Sequence, residues 1–233
     1  MSAAEATVDA KARLLDAAAE CFAERGFHGT TIREIAERAG VNVAACHYHV
    51  GSKQDLYVEV LRAQFALVKA QMQAAGVAVT ADDLARRSRA DVEALVARRI
   101  RVMLQFLLGP PPSLHGTLMQ REMCDPSAAL PIIVAEFVEP FTAEIGALVE
   151  RLAPQLDAEA VERCTLSMIG QVLFYRFALP IVHARWGADA INPVTLDGLA
   201  QHIATFSMGG LAARARTPKP ARRPSRARAR RSS

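Results

Sequence analysis

Apolar positions recur at helical spacing through most of the chain, and strand-like alternation bounded by turn residues is hard to find. Leu15, Ala18, Ala19 and Phe22 fall on one face of a first amphipathic helix, and Gly26 follows as its stop. Thr31-Ile32-Arg33-Glu34 has capping-box spacing, in which the threonine oxygen and the glutamate each satisfy an orphan backbone N–H. A short second helix therefore starts at Thr31 and carries the stripe Ile32, Ile35, Ala36 and Ala39. Gly40 supplies a tight turn, and Asn42 can cap a third short helix over Val43 to His49, ended by Gly51. Ser52-Lys53-Gln54-Asp55 is a second capping box, opening a long helix with Leu56, Val60, Phe65 and Val68 that closes near Gly76 and Thr80.

Beyond residue 80 the pattern stays helical as far as Ala213. Most prolines fall near helix boundaries, whereas Pro140 and Pro180 predict a turn or a kink. The expectation is an all-α chain in three parts. These are an N-terminal three-helix helix-turn-helix domain over 1–55, a larger helical domain over 56–212, and a disordered basic tail over 213–233.

Charge changes the picture only once it is located. The net charge is +4, but nine Lys/Arg and no acid lie between Arg214 and the end, leaving 19 basic against 24 acidic residues in the body. The tail either adds non-specific attraction to phosphate backbones or is a solvated extension. Residues 11 to 62 hold seven basic and seven acidic side chains, so DNA binding there requires the cations to cluster on one face.

At 51% apolar content and 233 residues the chain can fill a proper core. No run of about 18 apolar residues suggests a membrane span, and the start lacks the basic-then-apolar order of a secretory signal, so a cytoplasmic location with no membrane partner is expected. Cys21, Cys46, Cys124 and Cys164 lie far apart and are expected to be reduced.

His47 and His49 stand two apart, about 200° round a helix, and make a poor metal pair. No P-loop, dinucleotide turn, G-x-S-x-G or H-E-x-x-H is present, so no catalytic residue, metal or cofactor is assigned and the chain is not expected to be an enzyme. Acid–base work by Glu122, His115 or His183 is not required by their spacing. A redox sensor at Cys46 would lack a resolving thiol nearby.

The run TTIREIAERAGVNVAACHYHVGSKQDLYVEVL resembles the DNA-binding domain of TetR/AcrR-type regulators over about residues 10 to 60. Asn42, Cys46, His47 and Val50 stand where that family commonly has serine, leucine, tyrosine and phenylalanine. The segments LMQREMCDPSAAL, FVEPF, SMIGQVLFYRFALPIV and HIATFSMGGL are similar to the C-terminal domain named CerR-type in one subgroup, over about 90 to 212. The resemblance implies a homodimer that binds a palindromic double-stranded DNA operator and, as a repressor, is released by a small-molecule effector. It assigns Asn42, Val43, Ala44, His47 and Tyr48 to the DNA face, with Thr31 and Lys53 at phosphates.

Met119, Arg121, Glu122, Gln171, Phe174, Tyr175 and Arg176 could together supply the apolar walls and polar groups of a ligand cavity, although Met119 and Phe174 suit a core equally and Arg121 and Glu122 could pair elsewhere. Helices nearly apolar all round, carrying Met168, Val172, Phe177, Leu199, Ile203 and Phe206, need cover on more than one side. The resemblance places them in a four-helix dimer interface; a deeply buried core within one protomer is the alternative.

Overall fold

The computed structural model describes residues 3–108 and 114–216, which form α-helices with one π turn and one 3₁₀ turn and, among the described residues, no strand. The N-terminal elements are α1 (Ala3–Arg25), α2 (Ile32–Ala39), α3 (Val43–Val50) and α4 (Lys53–Ala74). After them come α5 (Ala81–Arg86), α6 (Arg89–Leu108), α7 (Leu114–Cys124), α8 (Leu130–Ile133), a π turn (Val134–Val138) and α9 (Glu139–Leu152). The chain then forms α10 (Ala158–Phe177), α11 (Leu179–Trp186) and α12 (Pro193–Arg216). The expected tail lies outside the described residues from 217 onward.

Both sequence-predicted capping boxes are formed. Thr31 and Glu34 satisfy each other's backbone N–H at the start of α2, and Ser52 and Asp55 do so at the start of α4. Gly40 ends α2 at φ +65°, a left-handed position that an L side chain rarely adopts. Pro140 sits in the first turn of α9 and has no N–H for the carbonyl of Glu136. The chain compensates just upstream, where the N–H of Glu139 reaches five residues back to Val134 and makes the π turn. Pro180 opens α11, which meets α10 at 61°. Among the described residues no single helix is long and apolar enough to cross a membrane.

Two cores share α4. The first joins Leu14, Phe22, Ile35, Cys46 and Val50 to Leu56, Tyr57, Val60 and Leu61, and it also takes Leu118, Ala129 and Ile133 from further along the chain. The second starts at Val68 and Met72 and continues through α6, α9, α10 and α12. The expected boundary at 55/56 thus falls inside α4, whose core allegiance changes between Leu61 and Val68. The boundary at 212/213 falls inside α12.

A polar knot ties α7 to α4 and α1. Glu122, 1% exposed, accepts from the Tyr57 hydroxyl at 2.9 Å and from the N–H and hydroxyl of Ser127 at 2.9 and 3.0 Å. The Arg121 Nε donates to the Ala23 carbonyl at 2.6 Å, and its Nη2 to that of Glu24, at the end of α1 where the helix dipole favours a cation. The Tyr57 ring packs edge-on against Phe22 at 4.8 Å. Burial, with the Glu122 charge beside it, pushes the Tyr57 phenol well above its ordinary value. Tyr57→Phe is expected to destabilise the protein by about 1–3 kcal/mol, because it strips a buried acceptor of one donor while leaving packing unchanged. A denaturant midpoint equal to that of the wild type would show that the bond contributes nothing.

Candidate nucleic-acid interface and effector domain

α3 is held by its inward face and presents its outward one. Cys46 and Val50 are buried against α1, α2 and α4, at the positions where the resembled family carries leucine and phenylalanine. Burial pushes the Cys46 thiol above its ordinary value, the reverse of what a redox sensor needs. The Asn42 Oδ1 accepts from the Ala44 N–H at 2.8 Å and fixes where α3 begins. Val43 and Ala44 are exposed, and Tyr48 is 85% exposed. The side chains of His47 and His49 lie outside the described residues.

The two predicted phosphate contacts have internal duties. The Thr31 hydroxyl and N–H both donate to Glu34 Oε2 at 2.9 Å, which puts a carboxylate at the start of α2 where an anion would sit. The hydrogen bonds from Thr31 hold that carboxylate below its ordinary value. The Lys53 Nζ donates to the carbonyls of Phe27 and Thr30 at 3.0 and 3.1 Å and lies 4.3 Å from the centre of the Phe27 ring. It pins the turn between α1 and α2 to the start of α4, with only one N–H direction left over.

Arg33 is the cation that the sequence reading missed. Of the seven basic residues, Lys11, Arg13, Arg25, Arg38 and Arg62 pair with carboxylates, and Lys53 serves carbonyls. Arg33, exposed on α2, has no such partner among the described residues. Only the pairing of the other six marks it out, and pairing across helices is not written in the sequence.

The seven residues singled out for a ligand do not meet in one cavity. Arg121 and Glu122 belong to the knot, and Met119 packs against the N-terminal core. The Gln171 Nε2 donates to the Ser207 hydroxyl at 3.1 Å and joins α10 to α12. The Arg176 Nη2 donates to the Thr117 hydroxyl at 2.7 Å, and burial lowers the pKa of that guanidinium. Phe174 is 60% exposed, and Tyr175 lies partly buried against the second core.

A cleft of about 370 Å³ lies elsewhere, between α4, α6 and the π turn leading into α9. None of the seven lines it. Its walls include Phe65, Phe137 and Phe141, with Phe65 stacked on Phe137 at 3.9 Å and 8°. The bidentate Arg62–Glu136 pair and the Arg99–Glu144 pair flank it. Behind the rings, His115 is enclosed by Phe65, Phe106 and Phe137 at 5.3, 5.0 and 5.5 Å, with no partner for its Nδ1 among the described residues. Glu122 stands seven residues from His115 on α7, about 10 Å along the axis, so the two share no proton.

Among the expected interface residues, Met168, Val172 and Ile203 are buried inside their own protomer and cannot touch a partner directly. The helical period turns them inward and turns Leu166, Gly170, Phe174, Phe206, Gly209 and Gly210 outward, with Phe206 66% exposed. Phe177 and Leu199 lie at the margin, partly buried.

Comparison with known proteins places these features in context. Residues 14–60 match the family described as bacterial regulatory proteins, tetR family. Residues 92–211 match the C-terminal domain of the HTH-type transcriptional dual regulator CecR, which corrects the expected type name CerR to CecR. The chain is 30% identical over 199 residues to CecR of Shigella flexneri, covering 83% of this chain and 87% of that one. It is 29% identical over 202 residues to the HTH-type transcriptional activator FasR of Mycolicibacterium smegmatis, covering 86% and 82%. The fold matches the transcriptional regulator FadR from Bacillus subtilis in complex with stearoyl-CoA, with TM-score 0.62 at 15% identity over 85% of this chain and 97% of that one.

His115 gives the C-terminal domain a pH signature. Burial lowers its pKa from 6.5 to about 4, so between those values the unfolded chain binds a proton that the folded chain refuses. This contribution to stability is therefore whole above pH 6.5 and is lost as the pH falls towards 4, by up to about 3 kcal/mol. Urea midpoints at pH 7 and pH 5 should fall further apart for the wild type than for His115→Leu. Equal separations would contradict the assignment.

Proposed function

The chain belongs to the TetR family of bacterial regulatory proteins, with a CecR-type C-terminal domain, and from that premise we propose that it is a homodimeric repressor released from a palindromic operator by a small molecule. The observation that carries this reading is the presentation of α3. Its apolar face is spent on the core, while Asn42, Val43, Ala44 and Tyr48 face outward on a capped, one-helix ledge. Val43 and Ala44 suit thymine methyls, and the Asn42 amide, Tyr48 and His47 carry hydrogen-bonding groups for base edges. Arg33 takes the main phosphate role, while Thr31 and Lys53, engaged by Glu34 and by the Phe27 and Thr30 carbonyls, shape the starts of α2 and α4.

In this reading two copies meet through the outward face of α10 and α12, where Leu166, Phe174 and Phe206 give apolar area and the glycines allow close approach. Met168, Val172 and Ile203 support that face from within. The two α3 helices then enter major grooves one helical turn, about 34–36 Å, or a multiple apart. An effector in the C-terminal domain acts through α4, whose early turns lie in the first core and whose later turns line the cleft. It must prefer the conformation in which the α3 helices are mis-spaced, since equal affinity for both shifts nothing. FasR carries the name of an activator, and reporter expression with and without the regulator reads the sense here.

Selection of bound fragments from random DNA tests the reading. Tyr48→Ala should flatten the preference among sequences, whereas Arg33→Ala should weaken all sequences alike and make the salt dependence shallower by about one unit. Phe206→Asp should convert the dimer to monomers in sedimentation and cost operator affinity. No enriched palindrome, or full affinity from a monomeric Phe206→Asp, would contradict it.

A further inference from the structure

We propose that the cleft between α4, α6 and the π turn is a site for a singly charged anionic amphiphile, its head held by Lys69 over Arg99 and its apolar body laid against Phe65, Phe137 and Phe141. The proposal rests on the effector-responsive reading above and specifies the chemistry of that effector. Size comes first. About 370 Å³ lies within the range of small-molecule sites, roughly 300–1,000 Å³, and is ample for a bicyclic or short-chain acid.

Charge decides the sign of the head. Two carboxylates line the cleft, and both are engaged, Glu136 by both ends of Arg62 and Glu144 by Arg99. Each pair is formally neutral. What remains is cationic: Lys69 lines the cleft and has no partner among the described residues. Arg99, only 3% exposed and beneath the cleft, keeps an Nε–H with no acceptor among the described residues while its guanidinium lies 5.3 Å from the centre of the Phe141 ring. A buried donor without an acceptor is costly, and its N–H dipole adds positive potential beneath the cleft. A cationic head would instead have to displace Arg62 or Arg99 from an existing pair and would stand beside Lys69.

The wall decides the rest of the ligand. Phe137 is near-parallel to both Phe65 and Phe141, at 8° and 13°, so the three rings form an ordered apolar surface. A body of apolar character is required because an entirely polar anion would leave that surface to water. Lys69 and Phe65 both ride on α4, so occupancy reports directly to the helix that opens in the DNA-binding unit.

The test uses three probes with one bicyclic body and three heads: 2-naphthoate, 2-naphthalenemethanol and 2-naphthylmethylammonium. Calorimetric titration of the full chain should give one site per protomer, tightest for naphthoate. Lys69→Met should weaken naphthoate about tenfold or more, Lys69→Arg should restore most of that loss, and Ala66→Trp should block the cleft. Equal or tighter binding of the ammonium, unchanged naphthoate affinity in Lys69→Met, or no binding of any probe would overturn the proposal. Gel shifts with the selected operator run in parallel keep the readings apart. Operator binding without naphthoate binding removes this site alone, and naphthoate binding without operator release removes the effector role alone.

Discussion

The structure depends on α4 being one unbroken helix that belongs to two cores at once. Leu56, Tyr57, Val60 and Leu61 are buried with α1, α2 and α3, and Val68 and Met72 with the C-terminal bundle. Neither half can tilt without carrying this helix along, and about 1.5 Å of rise per residue makes it a rod of roughly 30 Å. The Tyr57–Glu122 hydrogen bond and the grip of Arg121 on the end of α1 add a second tether through α7. Because Tyr57 and Glu122 are buried, breaking their bond is expensive, and the natural outcome of strain is a shift between discrete packings.

That arrangement explains why the polar residues of α7 are structural in role. Arg121, Glu122 and Met119 sit at the seam between the halves, with side chains already satisfied by backbone carbonyls, Tyr57, Ser127 and the first core. The open volume collects instead beside the later turns of α4. On the proposed reading a ligand there would act at one end of the rod, while α3 rests against its other end.

The fold was legible where it is local. Thr31, Gly40, Asn42 and Ser52 announce helix ends through short-range chemistry, and the structure forms the ends where those residues stand. The inward face of α3 was legible only through the resemblance, in which Cys46 and Val50 stand at apolar positions, and their four-residue spacing puts both on one side of the helix. The cleft was not, because Phe65, Phe137 and Phe141 converge from helices more than 70 positions apart in the chain. Arg33 escaped notice because its significance is relative, arising only when six neighbouring cations are found to be occupied. The apolar run of α10 and α12 hid which side faces out, as three of the six residues expected there turn into the protomer.

Protection of guanine N7 atoms from methylation on a selected operator tests the central claim most directly, because it reports groove and spacing together. The account predicts two protected clusters in the major groove, related by a twofold axis and separated by one helical turn or a multiple of it. A single cluster, or binding that leaves every major-groove N7 reactive, would contradict the placement of α3 on DNA.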